Sequence, residues 1–265
     1  MTQGGLGIGL ALSGGAARGI AHAGVLEVLA EAGVGVRALA GTSAGSVVGA
    51  LFAAGVTPAE IGRVALETRW SDLIRVRLPH AGMVAGDGLQ RFFERVIPAQ
   101  TFAQLRLPFA AVATDLATGV RVDLTTGPLS RAVLASCSLP VLLEPVGEGG
   151  RLLVDGGLSS QLPVRAVREL LGTGAGGAPV VAVDVNVGGL EHPRLGSVIE
   201  VALHLAMLWA ARSARDEQGE ADLVIGVDVR GIALQDLAQG PELLRRGREA
   251  ARAALPQLRA LLERP

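Results

Sequence analysis

Twice before Gly55 the chain runs from a short apolar segment through a glycine turn into a helix-patterned segment, and this arrangement constrains the fold more than any other feature. The first unit is Leu6 to Leu12, then Ser13-Gly14-Gly15, then Arg18 to Ala32, with Ile20, Val25, Leu26, Val28 and Leu29 at helical spacing. The second is Arg37 to Ala40, then Gly41-Thr42-Ser43-Ala44-Gly45, then a small-residue helix from Ser46 to Ala54 closed by Gly55. Strands joined by helices pair in parallel and are covered on both faces, so an α/β fold with a mostly parallel central sheet is expected, its active groups at the carboxyl ends of the strands. The β-branched run Val180 to Val185 has the composition of a strand buried in such a sheet.

The remaining pattern fills in around this frame. Helices are expected over Pro58 to Thr68 and Asp87 to Val96, the second with Asp87 as N-cap, and the stretch from Trp70 to Gly86 between them reads as loop. Phe109 to Thr114 and Val120 to Leu124 flank Ala117-Thr118-Gly119 as a hairpin, and Leu152 to Val154 is a short strand running into Asp155-Gly156-Gly157. Long helices follow over Leu195 to Arg215 and Pro241 to Leu262, with a strand over Leu223 to Val227. The glycine-rich Leu171 to Pro179 is too short to divide the chain, so one domain over residues 1–265 is expected, its motifs in a core of about 7–230 and its C-terminal helix over about 241–262.

Composition narrows the function classes. The 24 basic and 25 acidic residues are mixed, with a net charge of −1 and no basic block to follow a phosphate backbone, so nucleic acid is not an expected partner. Cys137 is the only cysteine, which excludes an intrachain disulfide and the usual structural zinc site, and it fits a reducing, cytoplasmic setting. The N-terminus lacks the basic region of a signal peptide. The apolar run Val198 to Ala211 contains Glu200 and His204 and falls short of the roughly 20 residues a membrane span needs. A soluble protein is expected.

Gly41-Thr42-Ser43-Ala44-Gly45 has the form of a nucleophile elbow, in which a serine sits on a sharp strand-to-helix bend and flanking side chains would collide. In a chain with 37 glycines the pattern alone is weak, and an N-cap serine in a tight turn satisfies it equally. Ser13 to Gly19 offers converging backbone N–H groups at a helix N-terminus, suited to a phosphate or to the oxyanion formed when a serine attacks an ester. The dinucleotide alternative fails: G-x-G-x-x-G is not met in this turn, and Arg37 and Ala40 stand where an acidic residue would end the second strand. A serine hydroxyl needs a base. His22 and His204 lie on helices as packed or interface histidines, whereas His80 and His192 adjoin prolines in loops and remain candidates for a triad. Asp155, ending a strand before two glycines, is the other candidate; by itself Asp-Gly reads as a surface turn.

The ordered set Leu10-Ala11-Leu12-Ser13-Gly14-Gly15-Ala16-Ala17-Arg18-Gly19, Gly41-Thr42-Ser43-Ala44-Gly45-Ser46, Ala113-Thr114-Asp115, Ala135-Ser136-Cys137-Ser138-Leu139-Pro140 and Val154-Asp155-Gly156-Gly157 resembles the patatin-like phospholipases. The resemblance implies a three-layer α/β/α fold and hydrolysis of lipid acyl esters through a Ser–Asp dyad and an acyl-enzyme, without histidine, metal or cofactor. It makes Ser43 the nucleophile within the elbow glycines Gly41 and Gly45, and Asp155 the general base. Gly14, Gly15 and Ala16, with Arg18, form or support the oxyanion hole. Two residues depart from the family pattern: Ala16 stands where a third glycine is frequent, and Val141 follows Leu139-Pro140 where a glycine is common. Ala16 serves as a donor if its φ stays negative. The expected partner is a lipid or ester substrate, met in transient contact with a membrane surface through Trp70, Leu73, Ile74 and Met83. The competing readings are a Ser-His-Asp α/β-hydrolase and a non-catalytic lipid- or anion-binding protein of the same fold.

Overall fold

The computed structural model describes residues 7–73, 86–172, 177–189 and 196–263. Five strands run parallel: β1 (Gly7–Leu12), β2 (Gly35–Thr42), β3 (Phe109–Asp115), β7 (Val180–Val187) and β8 (Leu223–Asp228). Three short antiparallel strands complete the sheet: β4 (Arg121–Leu124), β5 (Val146–Glu148) and β6 (Arg151–Asp155). The order is β5-β6-β3-β2-β1-β7-β8, with β4 paired to β3 off this path. Thus the first two strand-turn-helix units stand side by side at the centre.

The strand sequence Gly-Ile-Gly-Leu-Ala-Leu explains the layering. Side chains alternate along a strand, so Ile8, Leu10 and Leu12 face one side with Gly9 and Ala11 on the other. The larger residues join Leu39, Phe109, Ala111 and Val183 in the main core, covered by α1 (Ile20–Glu31), α2 (Ala44–Ala53), α5 (Asp87–Val96), α6 (Leu129–Cys137) and α10 (Gly240–Leu262). The smaller residues Ala11, Ala40, Ala110 and Ala182 form a second core with Val164 and Val167 of α8 (Val164–Leu171) and Ala214 of α9 (Val198–Gln218). Small side chains let α8 lie close: a Cβ at Gly9 would come within 2.5 Å of the Val167 side chain. The result is a three-layer α/β/α arrangement. The helices α3 (Pro58–Glu67), α4 (Trp70–Leu73) and α7 (Gly157–Ser160) lie beside the carboxyl end of the sheet or on its flank.

Several expectations change in detail. Asp87 is the first residue of α5 rather than its N-cap; Gly86 precedes the helix and makes no side-chain cap, and Asp87 contributes an acid to the first turn. The stretch after α3 contains the single turn α4; residues 74–85, with Ile74, His80 and Met83, lie outside the described residues, as do 173–176 and His192. The α9 helix is shifted three residues onward and is capped by the Ser197 hydroxyl, which accepts the Glu200 N–H at 3.2 Å. The strand before Asp155 is one arm of a hairpin whose turn residues, Gly149 and Gly150, both have positive φ (57° and 78°). Among the described residues no helix is long and apolar enough to cross a membrane.

Candidate active site

Ser43 stands between β2 and α2 at φ 51° and ψ −122°, a left-handed conformation that costs a non-glycine residue about 1–3 kcal/mol. The surroundings hold it there. Ser43 N–H donates to Ser136 Oγ at 2.9 Å, and Ser136 Oγ–H donates to Val112 O at 2.6 Å. The Ser43 carbonyl accepts from Ser46 N–H at 2.8 Å and from Ser46 Oγ–H at 2.7 Å. The flanking glycines are sterically required, since a Cβ at Gly41 would lie 2.2 Å from Gly45 O and one at Gly45 would lie 2.3 Å from Leu12 O.

Asp155 reaches Ser43 by register. Because β6 is antiparallel to β3, its carboxyl end points away from the edge where the parallel strands finish, contrary to the simple picture of an aspartate ending a parallel strand. The strand enters from that edge and stops with Asp155 opposite Ala113; the preceding β3 residue, Val112, is opposite Thr42 of β2. Asp155 therefore stands one rung from the residue before Ser43. Its carboxylate, on a residue 6% exposed, accepts Gly157 N–H at 2.8 Å, and Asp155 lines the same two cavities as Ser43. Burial pushes Asp155 from 3.8 up to about 6, against the opposing pull of the Gly157 N–H and the neighbouring Ser43 hydroxyl. The end of α6 braces both residues, Ser136 holding Ser43 while Ser138 O accepts Asp155 N–H at 2.9 Å.

The glycine turn also differs from expectation. Gly14 N–H donates to Gln161 O at 3.1 Å and Ala17 N–H to Leu234 O at 3.0 Å, so both amides are engaged within the fold. Gly15 and Ala16 are the N–H groups of the turn without a backbone partner among the described residues, and both residues line the cavity at Ser43. Ala16 has φ 45°, not the negative value expected, and Val141 has φ 76°. The two positions at which a glycine is frequent in the family are therefore, with Ser43, the non-glycine residues with positive φ among the described residues. Arg18 is a strut: its guanidinium donates from Nη2 to Ile232 O (2.7 Å) and Gly189 O (3.1 Å) and from Nε to Ile232 O (3.1 Å), pinning the end of β7 and the loop after β8 to the turn. These bonds make it a support of the turn.

Two cavities meet at Ser43, Asp155, Ala16 and Leu139. One, of about 410 Å³, carries polar groups from Gln161, Asp184, Asn186 and Arg215 and is walled by α9. The other, of about 300 Å³, is apolar and runs among Val48, Leu51, Ile61, Leu89 and Phe93 of α2, α3 and α5. No histidine lines either cavity among the described residues. His22 is fully buried behind the turn, its Nε2 bonded to Ser13 O at 2.8 Å and its pKa lowered by burial to about 4; His204 lies half-buried on α9.

Sequence reasoning missed Gln161, Asn186 and the buried Glu217 of α9, which accepts the Ser160 hydroxyl and, at 2.9 Å, the Arg165 N–H at the start of α8. No local pattern marks them, because their partners lie far away in the chain. Ser136, by contrast, stood within a recognised motif without an assigned role.

The family profile described as patatin-like phospholipase matches residues 10–168, a span that holds the glycine turn, the elbow and Asp155. An uncharacterized NTE family protein of Mycobacterium tuberculosis is 34% identical over 182 residues, which are 68% of this chain and 49% of that relative. The Lysophospholipase NTE1 of Cryptococcus neoformans is 35% identical over 188 residues, 68% of this chain and 11% of the relative. This chain therefore spans about half the length of the mycobacterial relative and a small part of the fungal one. VipD from Legionella pneumophila shares the fold, with a TM-score of 0.54 at 15% identity over 95% of this chain and 67% of VipD. With a family match over more than half its length and its glycine turn, elbow and Asp-Gly-Gly motif all inside the matched span, the chain belongs to the patatin-like phospholipase family.

Proposed function

We propose that this protein is a serine hydrolase of lipid acyl esters, with Ser43 as nucleophile and Asp155 as base. The observation that carries the reading is the placement of the strained Ser43 beside the buried carboxylate of Asp155, both lining an apolar cavity and a second one that carries polar groups. In the proposed reaction Asp155 takes the hydroxyl proton as Oγ attacks the ester carbonyl. The oxyanion receives the N–H groups of Gly15 and Ala16 at the head of the turn that leads into α1. The alcohol leaves with the proton from Asp155, giving the acyl-enzyme. Water then loses a proton to the same carboxylate and attacks the acyl carbon; the bond to Ser43 Oγ breaks as Oγ takes the proton back from Asp155, and the fatty acid leaves. A base raised to about 6 suits this work better than an ordinary aspartate, because it is ionised at neutral pH yet holds a proton more firmly.

The apolar cavity suits the acyl chain, and the one that carries Gln161, Asp184, Asn186 and Arg215 suits the alcohol portion. Phospholipid and lysophospholipid esters are the proposed substrates, in line with the lysophospholipase among the relatives. Contact with a lipid surface is proposed through α9, where Val198 (85% exposed), Leu205 (59%) and Trp209 (62%) form an apolar stripe while Ala206 and Ala210 of the same helix line the cavity proposed for the alcohol portion. Trp70, in the loop first expected to make this contact, is half as exposed as Val198 and donates its indole N–H to Gln235 O at 2.9 Å. A cytoplasmic setting is proposed on the lone Cys137.

The test is turnover of p-nitrophenyl esters of graded chain length, then of phospholipids and lysophospholipids, by the purified protein. Ser43→Ala should abolish turnover, and a fluorophosphonate should label Ser43 in the parent. Labelling of another serine, with full activity in Ser43→Ala, would overturn the assignment.

A further inference from the structure

Backbone amides stabilise an oxyanion only if their peptide planes are held, and the Gly14–Gly15 plane has little of its own to hold it. Both residues lack side chains, and Gly15, with φ 169°, belongs to no regular element. The carbonyl of Gly14 and the N–H of Gly15 belong to one planar trans peptide and point in opposite directions. Whatever anchors the carbonyl therefore aims the amide.

Two side-chain amides anchor it. Asn186 Nδ2–H donates to Gly14 O at 2.8 Å and Gln161 Nε2–H donates to the same oxygen at 3.2 Å, Asn186 from the end of β7 and Gln161 from the turn after α7. Each is itself fixed. Asp184 Oδ1 accepts both the Asn186 backbone N–H (3.0 Å) and its side-chain N–H (3.3 Å), while Gln161 N–H donates to Ser213 Oγ at 3.0 Å and Gln161 O accepts Gly14 N–H. The carbonyl thus has both lone pairs engaged, and a carbonyl so engaged polarises its own peptide, making the attached N–H a stronger donor.

We infer that Asn186 and Gln161 are positioning residues of the oxyanion hole, which hold the Gly14–Gly15 peptide so that the Gly15 N–H meets the oxyanion. The inference rests on the hydrolase reading above. It assigns no contact with the reacting atoms to either side chain; both act through Gly15. Their effect falls on the transition state, because the carbonyl oxygen of a bound ester carries less charge than the oxyanion it becomes.

The variants are Asn186→Leu and Gln161→Met, which keep the volume and remove the donors, and Asn186→Asp, which keeps the shape but turns a carboxylate toward the Gly14 carbonyl. In the full chain acting on a soluble short-chain ester, each donor deletion should lower kcat about tenfold and the pair on the order of 10²-fold or more, with KM within about twofold. Affinity for a trifluoromethyl ketone, which forms the tetrahedral adduct with Ser43, should fall by the same factor as kcat/KM, and affinity for the unreactive alcohol analogue should not. Asn186→Asp should be worse than Asn186→Leu, the reverse of what a packing role predicts. Thermal unfolding of each variant separates folding losses, and Asn186→Leu with Gln161→Met carries the test if Asn186→Asp does not fold. A folded double variant with kcat within twofold of the parent, or with ketone and alcohol weakened alike, overturns the positioning role while Ser43→Ala remains dead. Turnover that survives Ser43→Ala overturns the hydrolase reading and this one with it.

Discussion

Asp155→Asn should make the protein inactive and more stable at once. The carboxylate is 6% exposed and burial raises it from 3.8 to about 6, so ionising it in the folded state at neutral pH is unfavourable relative to the unfolded chain. Two pH units correspond to about 3 kcal/mol at pH 7.5. The sign follows from proton counting: between pH 3.8 and 6 the folded state keeps a proton that the unfolded state has lost, so this group lowers stability as pH rises through that window. Asparagine is never charged and retains Oδ1 for the Gly157 N–H. Relative to the parent, Asp155→Asn should gain about 3 kcal/mol at pH 7.5 and about half of that at pH 5, or on the order of 5–10 °C in Tm at the higher pH. Turnover should fall about 10²- to 10⁴-fold, because the amide cannot accept the Ser43 proton. Calorimetry or denaturant unfolding at the two pH values, beside an ester assay, measures both. A variant less stable than the parent at both pH values, or a stability gap that ignores pH, would refute the account of Asp155 as a buried charge held at a cost for chemistry.

The kcat/KM of the parent should fall on the acid side with a midpoint near pH 6 as Asp155 takes up a proton, and a midpoint near 4 would mean that burial does not raise this carboxylate. Gly45→Ala forces a Cβ to 2.3 Å from Leu12 O, and should destabilise by several kcal/mol and end fluorophosphonate labelling; chemical denaturation and gel fluorescence read the two effects. Val141→Gly releases a β-branched residue from φ 76°, and should stabilise by about 1 kcal/mol net of the glycine's greater unfolded-state entropy, with an unchanged or lowered Tm as the contrary result. Leu205→Glu with Trp209→Glu should weaken sedimentation with phospholipid vesicles while hydrolysis of a soluble ester stays as in the parent; undiminished vesicle binding would remove α9 from the lipid contact.

The parts of this protein legible in the sequence are those decided by neighbours along the chain. Alternating small and large residues in Gly-Ile-Gly-Leu-Ala-Leu specify a strand buried on both faces, and the glycines around Ser43 specify a bend that excludes side chains, because pleat and backbone sterics act over a few residues. Even the strain at Ala16 and Val141 was marked, as two places where the expected glycine is missing. What joins distant segments was not legible. The direction of β6 and its register against β3, which bring Asp155 beside Ser43, depend on a hairpin turn at Gly149-Gly150 and on pairing with a strand some forty residues earlier. The hold of Asn186 and Gln161 on Gly14, and of Ser136 on Ser43, spans 93 to 172 positions. Hydrogen bonds of that reach leave no periodicity in a sequence, and the burial that raises Asp155 is a property of everything packed around it; the residue types were written in the chain, but only the tertiary structure set their protonation and aim.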